Sequence, residues 1–361
     1  MGTDAVSRGN LRRHMPQTFK YLTKDLRGID LQGYNKVGDN TDPNLTAMLM
    51  GQHGHTHHNV SCVSKTGGAR YDDCPIIWKH FDKKGYVTAF GEDAPWMGVF
   101  HYQKAGFCKQ PTDYYNRPYF YASETQIGHN DGAGGSNGIL CQGGKLSSEV
   151  IHSYSLKIAE HLRDMPYFGF YWTASATHDY LDGATVVDKP HLKYLKRLKK
   201  KGYLEHTILF FISDHGLRWG DFRSTYAGML EERLPYVIMV FPEWFTQKYP
   251  QAIANLRSNT RRLTSNFDIY VTLLDIVNQA YADPAKSAPV IPQRGLSLFK
   301  LVPANRTCED AGVPEHYCAC EHTREVDPSN PKLLEAAKET LKDINTGLLR
   351  FKQCAQLSIN K

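Results

Sequence analysis

An aspartate and a histidine, Asp214 and His215, follow a short run of β-branched and aromatic residues at 207–212. A run this short, bounded by polar residues, is typical of a buried strand in a parallel sheet. Ligands of open α/β sheets bind at the carboxyl ends of the strands, so chemistry is expected at this position. Aspartate and neutral histidine are ligands of zinc and manganese, and the pair therefore predicts a metal site. The alternative is an ordinary strand followed by a turn.

A second aromatic run has the same arrangement. Residues 168–172 indicate another buried strand, and His178, Asp179 and Asp182 follow it. Because the carboxyl ends of parallel strands lie at one edge of a sheet, these three side chains are candidates for a second metal or for substrate contacts.

A hydroxyl is expected near the same edge. Residues 38–44 are rich in turn formers and lead into the apolar run 45–50, which predicts a helix that begins at Thr41. Amides at a helix N-terminus favour an anion, so these amides and the Thr41 hydroxyl can converge on one phosphate, with Asn40 beside them. The alternative is that Thr41 only caps the helix.

Ser7 offers a second hydroxyl, three residues after Asp4 and next to Arg8. A serine in the first turn of a loop or helix caps the helix more often than it attacks a substrate. Thr41 is therefore the predicted nucleophile.

Size and charge limit the classes of protein. The chain has 361 residues, of which 41% are hydrophobic, enough for one large α/β domain with an appendage. The net charge of +6 is dispersed, and no basic stripe with interleaved aromatics indicates nucleic-acid binding. No apolar run reaches the length of a membrane span, and the amino end has no signal-peptide apolar segment.

Eight cysteines, an even number, are compatible with free thiols or metal ligands in a cytosolic protein and with disulfides in a secreted one. Glycosylation sequons at residues 59–61 and 305–307 favour the secretory route. A third sequon, at 44–46, is expected to be buried at the active site.

Two further segments have a metal-like composition. Residues 51–58 contain four histidines, but we interpret them as a polar loop that ends a helix at Gly51. A second cluster alternates along one segment near the carboxyl end, with zinc or disulfides as the alternatives: His316, Cys318, Cys320 and His322.

Strands and helices alternate through most of the chain, which predicts an α/β fold with a mostly parallel sheet sandwiched by helices. Helices are predicted at 11–27, 75–84, 148–163, 190–201, 266–274 and 331–352, and strands at 86–90, 168–172, 207–212 and 236–241. After residue 302 the composition changes to cysteine, proline and charge. We therefore predict a catalytic domain over residues 1–302 and a cysteine-containing tail with an amphipathic helix over 303–361.

Asp4 presents a problem for this fold, because a carboxylate at a sheet end needs a strand to carry it and only three residues precede Asp4. We therefore expect an apolar strand and a targeting segment upstream of Met1 in the natural protein. The sheet should then show a gap where that strand belongs.

The order and spacing of these residues resemble the alkaline phosphatase superfamily, which includes sulfatases, phosphodiesterases and phosphoglycerol or phosphoethanolamine transferases. Three stretches look most like the domain of unknown function 229 family: residues 2–10 (GTDAVSRGN), 177–182 (THDYLD) and 213–220 (SDHGLRWG). The resemblance covers about residues 2–302 and is expected to extend into the tail. It implies that one metal ion, zinc or manganese, is shared by four side chains: Asp4, Thr41, Asp214 and His215.

The chemistry within the superfamily depends on the nucleophile. Sulfatases use a cysteine within Cys-x-Pro/Ala-x-Arg, and none of the cysteines here has that setting. A threonine on a metal favours phosphoryl transfer. Two-metal members carry further Asp and His ligands in an order that His178, Asp179 and Asp182 do not match, so one metal site is expected and a second stays open. His178 is then predicted to be a phosphate ligand or proton donor, and Arg218 and Arg223 are candidates for substrate contacts.

The predicted function is that of a metal-dependent hydrolase or transferase acting on a phosphoester of a small molecule, lipid or glycan. The predicted location is the extracellular space or the lumen of the secretory pathway. One alternative is a sulfatase-like sulfuric ester hydrolase. The other is a catalytically inactive relative that binds glycans or lipids in the same cleft.

Overall fold

The computed structural model describes residues 1–53, 62–63, 70–127, 139–282, 294–320, 327 and 329–359. The chain divides into two compact units, Met1–Cys320 and Glu321–Lys361. The first unit is built on a seven-stranded sheet, and the second contains one long helix among its described residues.

The strands of the described residues are β1 (Gly2–Thr3), β2 (Ile29–Asp30), β3 (Tyr34–Asn35), β4 (Val87–Glu92), β5 (Tyr114–Tyr115), β6 (Cys141–Gln142), β7 (Lys145–Leu146), β8 (Tyr167–Thr173), β9 (Leu209–Ile212), β10 (Val237–Val240) and β11 (Thr264–Ser265). The α-helices are α1 (Arg8–His14), α2 (Pro16–Lys20), α3 (Thr41–Met50), α4 (Ile77–Asp82), α5 (Arg117–Ala122), α6 (Ser147–His161), α7 (Gly183–Lys200), α8 (Tyr226–Arg233), α9 (Glu243–Lys248), α10 (Pro250–Asn259), α11 (Asn266–Asn278) and α12 (Pro331–Leu348).

The central sheet has the strand order β2-β10-β9-β1-β8-β4-β5. The five strands from β9 to β5 in this order run parallel to one another, whereas β10 is antiparallel to both β9 and β2. The predicted α/β fold with a mostly parallel sheet is therefore confirmed.

Helices cover both faces of this sheet. One face packs against α3, α4, α10 and α11, and the other packs against α1, α6 and α7. Successive side chains of a strand point to opposite faces, so Phe211 belongs to one apolar core and Ile212 to the other. This double coverage explains why the strands are apolar throughout rather than alternating.

Prolines account for the main differences from the predicted helices. Pro16 lacks an N–H and begins a new helix, so the helix predicted at 11–27 is divided into α1, α2 and a π-helical turn over Tyr21–Asp25. Pro190 instead lies inside α7, which begins at Gly183 rather than at 190. Buried Ala184 and Val187 keep that first part of α7 on the sheet.

The first compact unit continues past residue 302, where the sequence predicts a boundary, as far as Cys320. Arg306 is the main reason, because its guanidinium donates to the two carboxylate oxygens of Asp268 at 2.7 and 2.9 Å. A disulfide between Cys308 and buried Cys318 closes the same segment. Burial raises the pKa of Asp268, and the Arg306 charge opposes that rise.

None of the helices within the described residues has both the length and the apolar composition needed to cross a bilayer.

Replacing Arg306 by alanine is expected to lower the free energy of unfolding by about 3–5 kcal/mol, because it leaves the Asp268 carboxylate buried without its cation. Urea denaturation of both proteins measures this change. Lys201→Ala is the control, since the Lys201–Glu160 pair is more than half exposed and should contribute at most about 1 kcal/mol. Equal losses in the two variants would contradict the role given to Arg306.

Candidate metal centre

Asp4 and Asp214 lie side by side because β1 and β9 are adjacent parallel strands. Gly2 pairs with Ile212, and each aspartate stands two residues beyond its member of that pair. Ala5 has a φ of 59°, so the chain turns sharply after Asp4. The N–H of Ala5 donates to Asp214 Oδ1 at 3.2 Å. Both carboxylates are almost completely buried at this edge of the sheet.

Thr41 is the first residue of α3, as predicted, and a buried asparagine holds the loop in front of it. The N–H groups of Val37 and Gly38 donate to Asn44 Oδ1 at 2.8 and 3.1 Å. In return, the Asn44 amide donates to the carbonyls of Gly38 and Asn40 at 3.0 and 2.9 Å. Asn44 is fully buried, which agrees with the expectation that the sequon at 44–46 is inaccessible.

Four side chains converge at this point. The Thr41 hydroxyl donates to Asp4 Oδ1 at 3.1 Å and lies 3.4 Å from His215 Nε2. His215 Nε2 is also 3.3 Å from Asp214 Oδ2 and 3.7 Å from Asp4 Oδ1. The structure therefore brings together the four residues that the resemblance assigns to one metal.

The donor set fits a divalent cation such as zinc or manganese. Asp214 Oδ2 is buried without a hydrogen-bond partner, which is costly for a carboxylate oxygen. His215 Nδ1 is 2.8 Å from the carbonyl of Gly216, so this nitrogen carries the proton and Nε2 presents its lone pair to the carboxylates. One ligand atom from each of Asp4, Asp214 and His215 lies within 4.8 Å of the others.

Burial dominates the electrostatics of the cluster. Burial, and then the charge of Asp214, raise the pKa of Asp4 well above its usual value. Burial lowers the pKa of His215 to about 4, so the imidazole is neutral at pH 7 and can act as a ligand. Two buried carboxylates and a neutral imidazole make a site that a cation would stabilise.

Three basic side chains stand near the cluster. Lys36 is fully buried, donates to the carbonyl of Asp39 at 3.0 Å and pairs with Glu232. Arg218 pairs with Asp39 at 2.7 Å, and Arg223 lies 3.5 Å from Glu232. Positive charges of this kind raise the local concentration of anions.

Arg218 and Arg223 were predicted candidates for substrate contacts, whereas Lys36 was not predicted from the sequence. Burial lowers the pKa of Lys36 to about 7, and its ammonium lies 4.6 Å from the centre of the Tyr317 ring. The sequence around it gives little signal, because polar and apolar side chains are mixed over residues 34–37, directly before the turn that leads to Thr41.

The residues predicted for a second metal or substrate contact are more dispersed. His178 Nδ1 is 2.9 Å from Asp179 Oδ1, and the His178 ring packs against Trp219 at 5.0 Å. Asp182 is exposed at the start of α7, and Asn40 precedes α3 without a side-chain capping bond. His178, Asp179 and Asp182 do not join the cluster of Asp4, Asp214 and His215 found among the described residues.

Ser7 has a structural role instead. It is the N-cap of α1: its hydroxyl oxygen accepts the N–H of Asn10 at 2.8 Å and donates to Glu231 at 2.7 Å. Both hydrogen-bonding capacities of the hydroxyl are thus used away from the metal ligands.

Two other segments, at 51–58 and 316–322, have the histidines or cysteines of a possible metal site. Cys308 and Cys318 are joined in a disulfide, as are Cys62 and Cys74, which favours disulfides over zinc near the carboxyl end. Cys320 is exposed and His316 packs against Tyr317, while His322 lies outside the described residues. Gly51 ends α3 in the left-handed conformation with φ 65°, as predicted, and residues 54–58 are likewise outside the described part.

Solved structures share this fold. The phosphonate monoester hydrolase SpPMH from Silicibacter pomeroyi is 14% identical with a TM-score of 0.53, covering 85% of this chain and 78% of that chain. Ps i-CgsB in complex with k-i-k-neocarrahexaose is 13% identical with a TM-score of 0.50, covering 79% and 73%. A protein in the alkaline phosphatase superfamily from Vibrio parahaemolyticus is 16% identical with a TM-score of 0.49; this chain aligns over 76% of its own length and spans 64% of that protein. SpPMH and Ps i-CgsB, with TM-scores of 0.53 and 0.50, therefore share the α/β fold of this chain.

No curated protein matches the sequence. The family model described as "Protein of unknown function (DUF229)" matches residues 1–361, which is the full length of the chain. The chain belongs to the DUF229 family.

Proposed function

We propose that the protein is a metal-dependent hydrolase or transferase that acts on a phosphoester through the Thr41 hydroxyl. The observation that carries the proposal is the convergence of this hydroxyl with buried Asp4, Asp214 and His215 at the N-terminus of a ten-residue helix. Helix amides and a bound cation both favour an oxyanion at that point.

A cation held by Asp4, Asp214 and His215 would lower the pKa of a ligated hydroxyl and neutralise charge on the phosphate. Asp4 Oδ1 accepts the Thr41 hydrogen bond and so orients the oxygen. In the proposed step the Thr41 hydroxyl gives its proton to water, and its oxygen bonds to phosphorus as the ester bond to the leaving group breaks. Water or a second alcohol then takes the phosphoryl group from Thr41 and passes its own proton to His178, while the Thr41 oxygen regains a proton from water.

His178 is the proposed donor of a proton to the leaving oxygen. Its Nδ1 is bound by Asp179, which fixes the ring and leaves Nε2 for the substrate. The Trp219 ring contacts both His178 and a basic side chain. The Arg218 guanidinium lies 5.2 Å from the centre of that ring. We propose Arg218, Arg223 and Lys36 as the groups that attract the phosphate.

The substrate class is proposed as a phosphoester of a small molecule, lipid or glycan. A hydroxyl nucleophile and the absence of a cysteine in a sulfatase setting favour phosphate over sulfate. The sulfuric ester hydrolase stays the second candidate, and the inactive glycan- or lipid-binding relative the third. The disulfides Cys62–Cys74 and Cys308–Cys318 support an extracellular or luminal location.

Purified protein is expected to contain about one equivalent of zinc or manganese. Asp214→Ala and His215→Ala should each lose tight binding, because the remaining ligands form an incomplete shell with buried charge. Metal content after dialysis, measured by plasma mass spectrometry, gives the result. Unchanged content in both variants would rule out this site.

Thr41→Ala should lower turnover of an aryl phosphodiester by about 1000-fold or more while the fold survives, and Thr41→Ser should retain part of the activity. Ser7→Ala is the matched control. Removal of the Ser7 hydroxyl should lower the free energy of unfolding by about 1 kcal/mol and leave turnover nearly unchanged, since Ser7 caps α1. Near-normal activity of Thr41→Ala on any substrate of the wild type would exclude Thr41 as the nucleophile.

Arg218→Ala should raise KM for an aryl phosphodiester about tenfold or more with a smaller change in kcat, because a charge-assisted bond to the substrate is lost. Arg13→Ala is the control, since it removes an arginine paired with Glu231 at the surface. If both variants change KM equally, Arg218 does not contact the substrate. Assays with an aryl phosphate, phosphodiester and sulfate in parallel distinguish the three candidate functions.

A further inference from the structure

Two aromatic side chains stand in solvent beyond the carboxyl end of β4. Trp96 lies in the segment after β4 and is 53% exposed, and Tyr121 of α5 is 40% exposed. The centres of the two rings are 4.8 Å apart, and their planes are inclined by 45°. Single exposed aromatics are common on protein surfaces, but two in contact form an apolar patch of the kind that marks a binding site. We call this pair the aromatic platform.

Charged groups frame the aromatic platform. The Arg117 guanidinium lies 5.5 Å from the centre of the Tyr121 ring, and its Nε donates to the backbone carbonyl just before Trp96 at 3.2 Å. Burial, and then the charge of Asp93, raise the pKa of half-buried Glu124 to about 7. A hydrogen bond between Glu124 and the Trp96 side chain opposes that rise. A cationic donor and a carboxyl group therefore border the two rings.

Buried hydrogen bonds connect the end of β4 with the neighbourhood of the metal centre. Asp93, directly after β4, accepts the N–H of Ala174 at 2.7 Å and the hydroxyl of Ser175 at 2.6 Å. These two residues follow β8, and the carbonyl of Ala174 accepts the N–H of His178 at 3.0 Å. Since β8 lies between β4 and β1, the ends of β4 and β1 are two strand spacings apart, or roughly 10 Å. The aromatic platform and Asp4 therefore belong to the same edge of the sheet, and His178 follows the strand between them.

Aromatic side chains also follow β8. Tyr180, two residues after His178, is 56% exposed. Trp219 packs against His178, and its indole N–H donates to the carbonyl of Asp179 at 2.9 Å. Ring surfaces are thus present beyond two neighbouring strands, β4 and β8, and they offer a long ligand successive places to stack along this edge.

A sugar ring fits this combination of surfaces. The C–H groups on one face of a pyranose are weakly positive and pack on the negative face of an aromatic ring, while its hydroxyls need donors and acceptors. Arg117 supplies donors, and the Glu124 carboxylate supplies acceptors. A lipid bilayer is the alternative partner for exposed aromatics. Insertion into a bilayer would remove both charged groups from water, which is costly.

We propose that the aromatic platform is a glycan subsite, which binds a pyranose ring in the leaving group of the phosphoester. This role rests on the function proposed above, and it narrows the substrate class to glycan phosphoesters. With the phosphate at Thr41, the sugar lies on the side of His178, where the leaving oxygen takes its proton. Trp96 and Tyr121 are then specificity-determining residues that act on binding rather than on the chemical step.

The test measures glycan binding apart from turnover. Fluorescently labelled protein is applied to an array of neutral and phosphorylated oligosaccharides, and the oligosaccharide that binds most strongly is titrated by isothermal calorimetry. Thr41→Ala should bind it like the wild type. Trp96→Ala should weaken binding about tenfold or more through loss of the ring face, and Trp96→Phe should recover most of that loss.

Trp244→Ala is the matched control and should leave binding unchanged. Trp244 is similarly exposed, at 45%, but it follows β10, which is antiparallel to β9 and ends at the opposite edge of the sheet. Tyr121→Ala should also weaken binding, and it serves as the second variant if Trp96→Ala does not fold.

A wild type that binds no oligosaccharide on the array would overturn the proposal. Equal affinity of the wild type, Trp96→Phe and Tyr121→Ala would overturn it as well. Binding to phosphatidylcholine vesicles that is lost in Trp96→Ala, without glycan binding, would assign the aromatic platform to a membrane instead. Glycan binding that is lost in Trp96→Ala, in a wild type that turns over no phosphoester, would support the glycan subsite and reject the proposed enzymatic function alone.

Discussion

Two carboxylates that are buried side by side at the end of a parallel sheet constrain the rest of this structure. Asp4 and Asp214 are held there by the pairing of Gly2 with Ile212. Among the described residues, neither carboxylate forms an ion pair with a lysine or an arginine, and their basic neighbour is the His215 imidazole. Without a cation, burial and the charge of Asp214 raise the pKa of Asp4. The folded state then binds the Asp4 proton more tightly than the unfolded state does, so the stability of the metal-free protein falls as pH rises above about 4. A divalent cation bound by the two carboxylates would favour their ionised form, so stability would then rise rather than fall as the pH increases above about 4.

The surrounding contacts position the other two members of the centre. Asn44 fixes the loop before α3 and thereby sets the place of Thr41, while the carbonyl of Gly216 sets the tautomer of His215. Lys36 and Glu232 form a buried ion pair, and Arg223 lies 3.5 Å from the same glutamate. The three basic side chains pair with Asp39 and Glu232 rather than with Asp4 or Asp214. Under the proposed function, this leaves the two buried carboxylates for a metal and the basic charges for an anionic substrate.

The sequence predicted the central strands and the proximity of the four predicted site residues for physical reasons. Residues 208–212 are apolar because both faces of the sheet are covered, and Asp4 and Asp214 lie together because the carboxyl ends of parallel strands meet at one edge. Lys36 was missed because a single lysine between Asn35 and Val37 has no periodicity to reveal that it is buried. The extent of the first unit to Cys320 was missed because the Arg306–Asp268 pair joins residues that are 38 apart, and a change in composition at 302 does not reveal such a contact.

The central claim is that one metal ion is shared by Asp4, Thr41, Asp214 and His215. A crystal structure of protein purified without chelators, with anomalous diffraction recorded on both sides of the zinc and manganese absorption edges, tests it directly. The account predicts one anomalous peak within bonding distance of all four side chains. Crystals of catalytically active protein without an anomalous peak at these four side chains would contradict it. A metal found only at Cys308, Cys318 and Cys320 would contradict it as well.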